Sequence, residues 1–82
     1  MNKKQIENAI NYATSNKAAL NKSDKAGCYY CLKIYLASEV TKFLEEENTA
    51  LCPNCGIDSV LPDSSPYELT IDNLRELKKF WF

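Results

Sequence analysis

Apolar side chains recur along this chain in more than one rhythm. Between residues 2 and 21, Ile6, Ala9, Ile10, Ala13 and Leu20 stand at helical spacing, so they mark one face of an amphipathic helix. Asn2 is placed to cap it, and Gln5 three residues on completes a capping box. The face is thin, with alanines where a bulky core would carry leucines, which predicts a loosely docked helix. Asn21 to Gly27 is polar and closes on a glycine, the composition of a linker. Leu32 to Leu36 then alternates weakly among strand formers and predicts a short strand. Ser38 follows as an N-cap, with Glu39 in the first turn where the helix dipole favours a carboxylate. Val40, Phe43 and Leu44 supply the inward stripe of that short helix, which Glu45, Glu46 and Glu47 end before Asn48.

Two apolar arms come next, Thr49 to Leu51 and Ile57 to Leu61. Their placement on either side of a tight turn predicts that they pair as a hairpin. Pro62 to Pro66 has loop composition. A last helix is predicted from Ile71 to the C-terminus, capped by Thr70 and stapled by Leu69 against Leu74. Ile71, Leu74, Leu77 and Trp81 share one face, while Lys78 and Lys79 in the last turn complement the dipole.

Length limits what these elements can hold by themselves. The chain has 82 residues and reads as one domain: an N-terminal helix and linker (1–26), a central core (27–61), and a loop with the closing helix (62–82). A domain of this size buries only about 60% of its unfolded surface, so a staple is expected. Four cysteines supply it, as Cys28-Tyr29-Tyr30-Cys31 and Cys52-Pro53-Asn54-Cys55 with twenty residues between. Two C-x-x-C pairs at this separation form the pattern of a four-thiolate metal site. Two intervening residues let a turn aim both sulfurs at one ion, and the spacer brings the second turn round to complete a tetrahedron.

Pro53 sets φ after the first thiolate of the second pair, and Gly56 can turn backbone N–H groups toward the sulfurs. Leu32 occupies the matching place after the first pair, which makes that turn less ideal. Cys28, Cys31, Cys52 and Cys55 are thus the predicted ligands of one structural ion. Zinc stands ahead of iron, which the same four thiolates would suit as a mononuclear electron carrier. Disulfides are the rival use of the cysteines. No apolar run follows the N-terminal lysines and no stretch approaches a membrane span, so the chain reads as cytoplasmic, where paired thiols more often hold metal.

Charge and residue types narrow the function. The formal net charge is −1, and four thiolates around Zn²⁺ would take it to about −3. Lysines gather in residues 1–25 and acids in residues 26–66, without the strongly basic footprint of a nucleic-acid binder. There is no histidine, the commonest general base, and four thiolates leave a tetrahedral ion no open position. A Gly-rich phosphate loop is missing, and Asp58 reads as a turn or N–H acceptor beside Ser59, so no enzyme is expected. Glu45, Glu46 and Glu47 form either a solvated helix end or an acidic patch for a basic partner. Tyr29 and Tyr30 lie inside the first metal turn. Either one packs inward and the other covers the turn, or they stack on unpaired bases as zinc-knuckle aromatics do. Trp81 is expected to be buried against the metal ribbon, with an exposed aromatic hot spot as the alternative.

The runs Gly27 to Tyr35, Ala37 to Val40 and Thr49 to Val60 together resemble a group of small bacterial proteins designated simply as cytoplasmic proteins. Cys52-Pro53-Asn54-Cys55-Gly56-Ile57-Asp58-Ser59-Val60 is the most specific part, and the likeness covers roughly residues 27–82. It implies a cytosolic, zinc-ribbon-like fold with the four cysteines as ligands. Members of the group often carry histidines near both ends, and this chain carries none. The expected architecture is α+β: a small zinc-ribbon-like four-cysteine core with one inserted short helix, flanked by N-terminal and C-terminal helices. The expected role is a non-enzymatic protein–protein interaction module, an adaptor or inhibitor from a bacterium or its phage, acting on a protein partner and not on a membrane. A nucleic-acid-binding zinc ribbon is the first alternative and mononuclear iron electron carriage the second.

Overall fold

A computed structural model describes residues 1–82. In chain order its helices are α1 (Lys3–Asn8), α2 (Lys17–Asn21) and α3 (Ile71–Trp81). Its strands are β1 (Lys25–Cys28), β2 (Ile34–Leu36), β3 (Phe43–Leu44), β4 (Thr49–Ala50) and β5 (Val60–Pro62). β1 lies at the centre of an antiparallel sheet, between β2 and β5, while β3 and β4 form a separate hairpin. The architecture is α+β and zinc-ribbon-like, as the residue pattern predicts.

Strand alternation makes the sheet a wall between two cores. Ala26, Cys28 and Val60 belong to one, with Leu20, Ala37, Val40, Ala50 and Cys52. Tyr29 and Leu61 belong to the other, with Ala9, Ala13, Leu74 and Leu77. Gly27 faces α3: a Cβ there would lie 3.1 Å from Leu74 Cδ1. The missing side chain is what lets α3 lie directly on β1. The helix itself forms as expected, with Thr70 Oγ1 accepting from Asn73 N at 3.1 Å and Leu74 and Leu77 buried.

Beyond the expected linker at Asn21 to Gly27, whose last residues Lys25–Gly27 instead lie in the central strand β1, four expectations need correction, and each fails for a tertiary reason. The N-terminal helix is not continuous from residue 2 to residue 21. Its start is right, since Asn2 and Gln5 close the capping box, but the chain breaks after a 3₁₀ turn at Ala9–Asn11 and resumes at α2. Ser15 sits at φ +49°, held by its N–H donating to Thr49 Oγ1 at 2.8 Å. Nor is the docking loose. Ala9 and Ala13 are buried, and their small side chains are what allow the close approach.

The second correction concerns the inserted helix. Only a 3₁₀ turn forms at Ala37–Glu39, and Phe43 and Leu44 instead pair with Ala50 and Thr49. Glu45, Glu46 and Glu47 would have opposed the dipole at a helix C-terminus; here they occupy a hairpin loop closed by Asn48 at φ +53°, a conformation asparagine tolerates well. Third, the arms around the second metal turn do not pair with each other, because β4 pairs with β3 and β5 with β1. Asn16 fills the gap between them. Its buried side chain accepts from Ala50 N at 2.9 Å and donates to Val60 O at 2.8 Å, so one amide stands in for a missing ladder.

Fourth, Trp81 is half-buried on the α1 side, where its Nε1 donates to Ile6 O at 3.1 Å. The sheet lies between it and the sulfurs, and Phe82 is the aromatic that reaches the first cysteine turn. Replacing Asn16 by alanine should strand the Ala50 N–H and Val60 C=O in the core and cost about 2–4 kcal/mol. Urea unfolding of the variant measures this, and a loss under about 0.5 kcal/mol would refute the bridging role.

Candidate metal centre

The two cysteine turns share one backbone design. In the first, Leu32 N donates to Cys28 O at 2.9 Å and Cys28 N to Lys33 O at 2.9 Å. In the second, Gly56 N donates to Cys52 O at 2.9 Å and Cys52 N to Ile57 O at 2.9 Å. The amides of Tyr30 and Cys31 point at Cys28 Sγ, 3.3 and 3.5 Å away. Those of Asn54 and Cys55 point at Cys52 Sγ over the same 3.3 and 3.5 Å. Each turn ends in a left-handed residue: Gly56 at φ +82° and Leu32 at φ +67°. Leu32 therefore reaches the geometry that a glycine would adopt freely, against a steric cost of about 1–2 kcal/mol. Its side chain is half-buried against the core that contains Tyr29, Leu74 and Leu77, and that burial offsets the cost.

β1 carries the first turn and the chain between β4 and β5 carries the second, so the sheet and the hairpin bring them face to face. Cys28 Sγ stands 3.7 Å from Cys55 Sγ, and Cys31 Sγ stands 3.7 Å from Cys52 Sγ. All four sulfurs lie within 4.8 Å of one another. A tetrahedral ion with bonds of about 2.3 Å sets its thiolates about 3.8 Å apart, whereas a disulfide needs about 2.05 Å. The cysteines are free thiols, and together they form a cluster that can hold a metal ion. Cys28 and Cys52 are buried, Cys31 and Cys55 half-buried.

The electrostatics show why a cation belongs there. Burial pushes the Cys28 thiol up to about 12, partly opposed by the Ser59 hydroxyl and the Cys31 and Tyr30 amides. Burial also pushes Cys55 up. For Cys52 burial acts the same way, but the Tyr35 hydroxyl and the Cys55 and Asn54 amides outweigh it and bring the thiol down to about 6. Tyr35 Oη is buried and meets no partner in bonding geometry, so it favours the Cys52 thiolate as a nearby dipole rather than through a formed hydrogen bond. Cys52 ionises readily while Cys28 and Cys55 resist, chiefly because burial disfavours their charged form and, to a smaller extent, because the Cys52 charge lies beside them.

Ser59 is the residue beside the cysteine cluster that spacing did not single out. Its Oγ lies 3.0 Å from Cys28 Sγ with the side chain buried. Only its place in the Cys-Gly-Ile-Asp-Ser run hinted at a role. Asp58, read as a turn residue or an N–H acceptor, lies exposed at a bend after the second cysteine turn, and its side chain makes no hydrogen bond. Asp63 does that work instead, accepting from Lys25 N at 2.8 Å and Asp24 N at 3.2 Å. Tyr29 and Tyr30 divide as one of their two readings has it, Tyr29 buried and Tyr30 exposed. No helix is long and apolar enough to cross a membrane. No protein-family model matches the chain, and neither a curated protein nor a solved structure does.

Two outcomes are expected. Gly56→Ala should cost about 1–2 kcal/mol through backbone strain alone, since nothing lies within 4 Å of the added Cβ; equal melting curves for the variant and the parent would count against the turn geometry. A strong chelator should abolish the cooperative melt, because a structural four-cysteine ion contributes roughly 10–16 kcal/mol against a domain stability of about 5–15 kcal/mol. Far-UV circular dichroism that survives complete metal removal would show the fold and the ion to be independent.

Proposed function

We propose that this chain is a non-enzymatic cytoplasmic zinc protein whose four-thiolate centre braces a protein-binding surface, the work of an adaptor or inhibitor from a bacterium or its phage. Zinc is the favoured ion because four thiolates close its tetrahedral shell and leave no site for substrate. Iron in the same cage would make a red electron carrier, so the absorption spectrum of the purified protein separates the two.

The observation that carries the binding role is the aromatic cap on the first cysteine turn. Tyr30 is 40% and Phe82 57% exposed, with ring centroids 4.8 Å apart in an edge-to-face arrangement. Phe82 also meets the buried Tyr29 at 5.9 Å, so the exposed pair rests on a residue fixed beside the metal ligands. Rigid aromatics on a braced turn are the residues that dominate protein interfaces, because they bury much area and lose little conformational entropy.

A second reading has its own support. Lys78 Nζ lies 5.0 Å from the Tyr30 ring centroid, and a cation beside an exposed aromatic also suits a base and its phosphate. The formal net charge of −1 weighs against this nucleic-acid reading.

Immobilised wild-type protein and the variants Tyr30→Ala and Phe82→Ala, presented to lysate of the native host, test the proposal. A protein retained by the wild type should lose roughly 30-fold in affinity for either variant, the scale of a hot-spot residue, while metal content stays unchanged. Retention by both variants equal to wild type would sink the reading. Titration with single-stranded oligonucleotides at two salt concentrations tests the second reading, which requires binding that weakens as salt rises.

A further inference from the structure

We propose that Ser59 is a positioning residue of the metal centre: its hydroxyl donates to Cys28 Sγ once that sulfur is a metal-bound thiolate, and thereby holds the most deeply buried ligand on the ion. The inference rests on the four-cysteine cluster being a metal site.

The two cysteine turns match in backbone hydrogen bonds and in the two amides aimed at each leading sulfur. Ser59 breaks that symmetry. Its Oγ–Sγ distance of 3.0 Å is shorter than any amide contact to the sulfurs, and the sulfur it meets, Cys28, is wholly buried. A thiolate taken out of water loses its solvating donors and must find them in the protein. Two amides at 3.3 and 3.5 Å supply part of that, and the hydroxyl supplies the closest share.

The direction of the bond is set by the metal. Between a thiol and a hydroxyl either atom can donate. A metal-bound thiolate carries no proton, so only Ser59 can donate, and the bond becomes charge-assisted and about twice as strong. The interaction therefore strengthens on metal binding and contributes to affinity, not merely to folding. The hydroxyl has little freedom to leave. Ser59 O accepts from Tyr29 N at 3.0 Å, and the next residue, Val60, is Cα partner to Cys28 in the β1–β5 ladder. The serine is 1% exposed.

The test uses the full chain loaded with cobalt(II), whose thiolate charge-transfer band reports the electron richness of the sulfurs. Removing a donor from one thiolate should move that band to longer wavelength in Ser59→Ala and again in Ser59→Gly. Ser59→Thr, which keeps the hydroxyl, should restore it. For the zinc form, transfer to a chromogenic chelator should favour the chelator about tenfold more in Ser59→Ala than in wild type, the usual scale for a lost outer-shell partner. A change in packing alone would leave the band where it is. Unchanged band and transfer in Ser59→Ala, or a shift that Ser59→Thr fails to reverse, overturns the inference. Failure of the wild type itself to bind cobalt tetrahedrally would overturn the metal-site reading, and with it this one.

Discussion

The convergence of four sulfurs is the constraint on which the rest of this fold depends. Cys28 and Cys31 close β1, while Cys52 and Cys55 lie well beyond them in the chain, yet their sulfurs stand within 4.8 Å. The core on that side of the sheet shows why such a staple is needed. Apart from the cysteines it holds mostly small side chains, with Ala26, Ala37 and Ala50 beside Val40, Val60 and Leu20. Small side chains remove little apolar area from water, and only Tyr35 and Phe43 add larger, partly buried surface there, so an ion held by the four sulfurs would add most to that half of the molecule. On the opposite side, Leu61, Leu74, Leu77 and Tyr29 make an ordinary hydrophobic core under α3. The sheet separates the half that carries the cysteine cluster from a half held by burial.

Polar side chains manage the joints between these halves. Asn16 ties Ala50 to Val60 where no ladder runs, and it also donates to Tyr12 O at 3.1 Å, fastening the break between α1 and α2. The left-handed residues sit at comparable joints. Ser15 is held by Thr49, and Leu32 by the cysteine turn and the α3 core. Asn48 donates to Leu44 O at 2.8 Å while its own carbonyl accepts from Lys17 N at 3.2 Å. Conformations of this kind persist only where surrounding contacts over-determine them. Each one here lies where two segments distant in sequence must meet.

The placement of the aromatics links scaffold to surface. Tyr29 and Tyr30 belong to the turn that presents two ligands, and Phe82 arrives from α3 to pack on both. α3 in turn rests on β1 through the space left by Gly27. Cysteine turn, sheet and C-terminal helix thus share in holding one exposed cap.

How much was legible in the residues depended on how local the deciding interaction was. The cysteine spacing, the capping box at Asn2 and Gln5, the cap at Thr70 and the periodicity of α3 all rest on contacts within a few positions, and the chain by itself determined them. The same holds for the alternatives of one buried and one covering tyrosine and for the turn at Gly56, whereas only the structure shows Leu32 taking the same left-handed conformation. Tertiary structure decided the rest. A helical spacing at Val40, Phe43 and Leu44 gave way to a hairpin because Thr49 and Ala50 are wanted as partners by Ser15 and Asn16. A long N-terminal helix yielded for the same reason, and the arms of the second turn parted, β5 pairing with β1 and β4 with β3. Local propensity is worth tenths of a kcal/mol per residue, whereas a buried amide left unpaired costs about 1–3 kcal/mol; where the two conflicted, the distant partner prevailed.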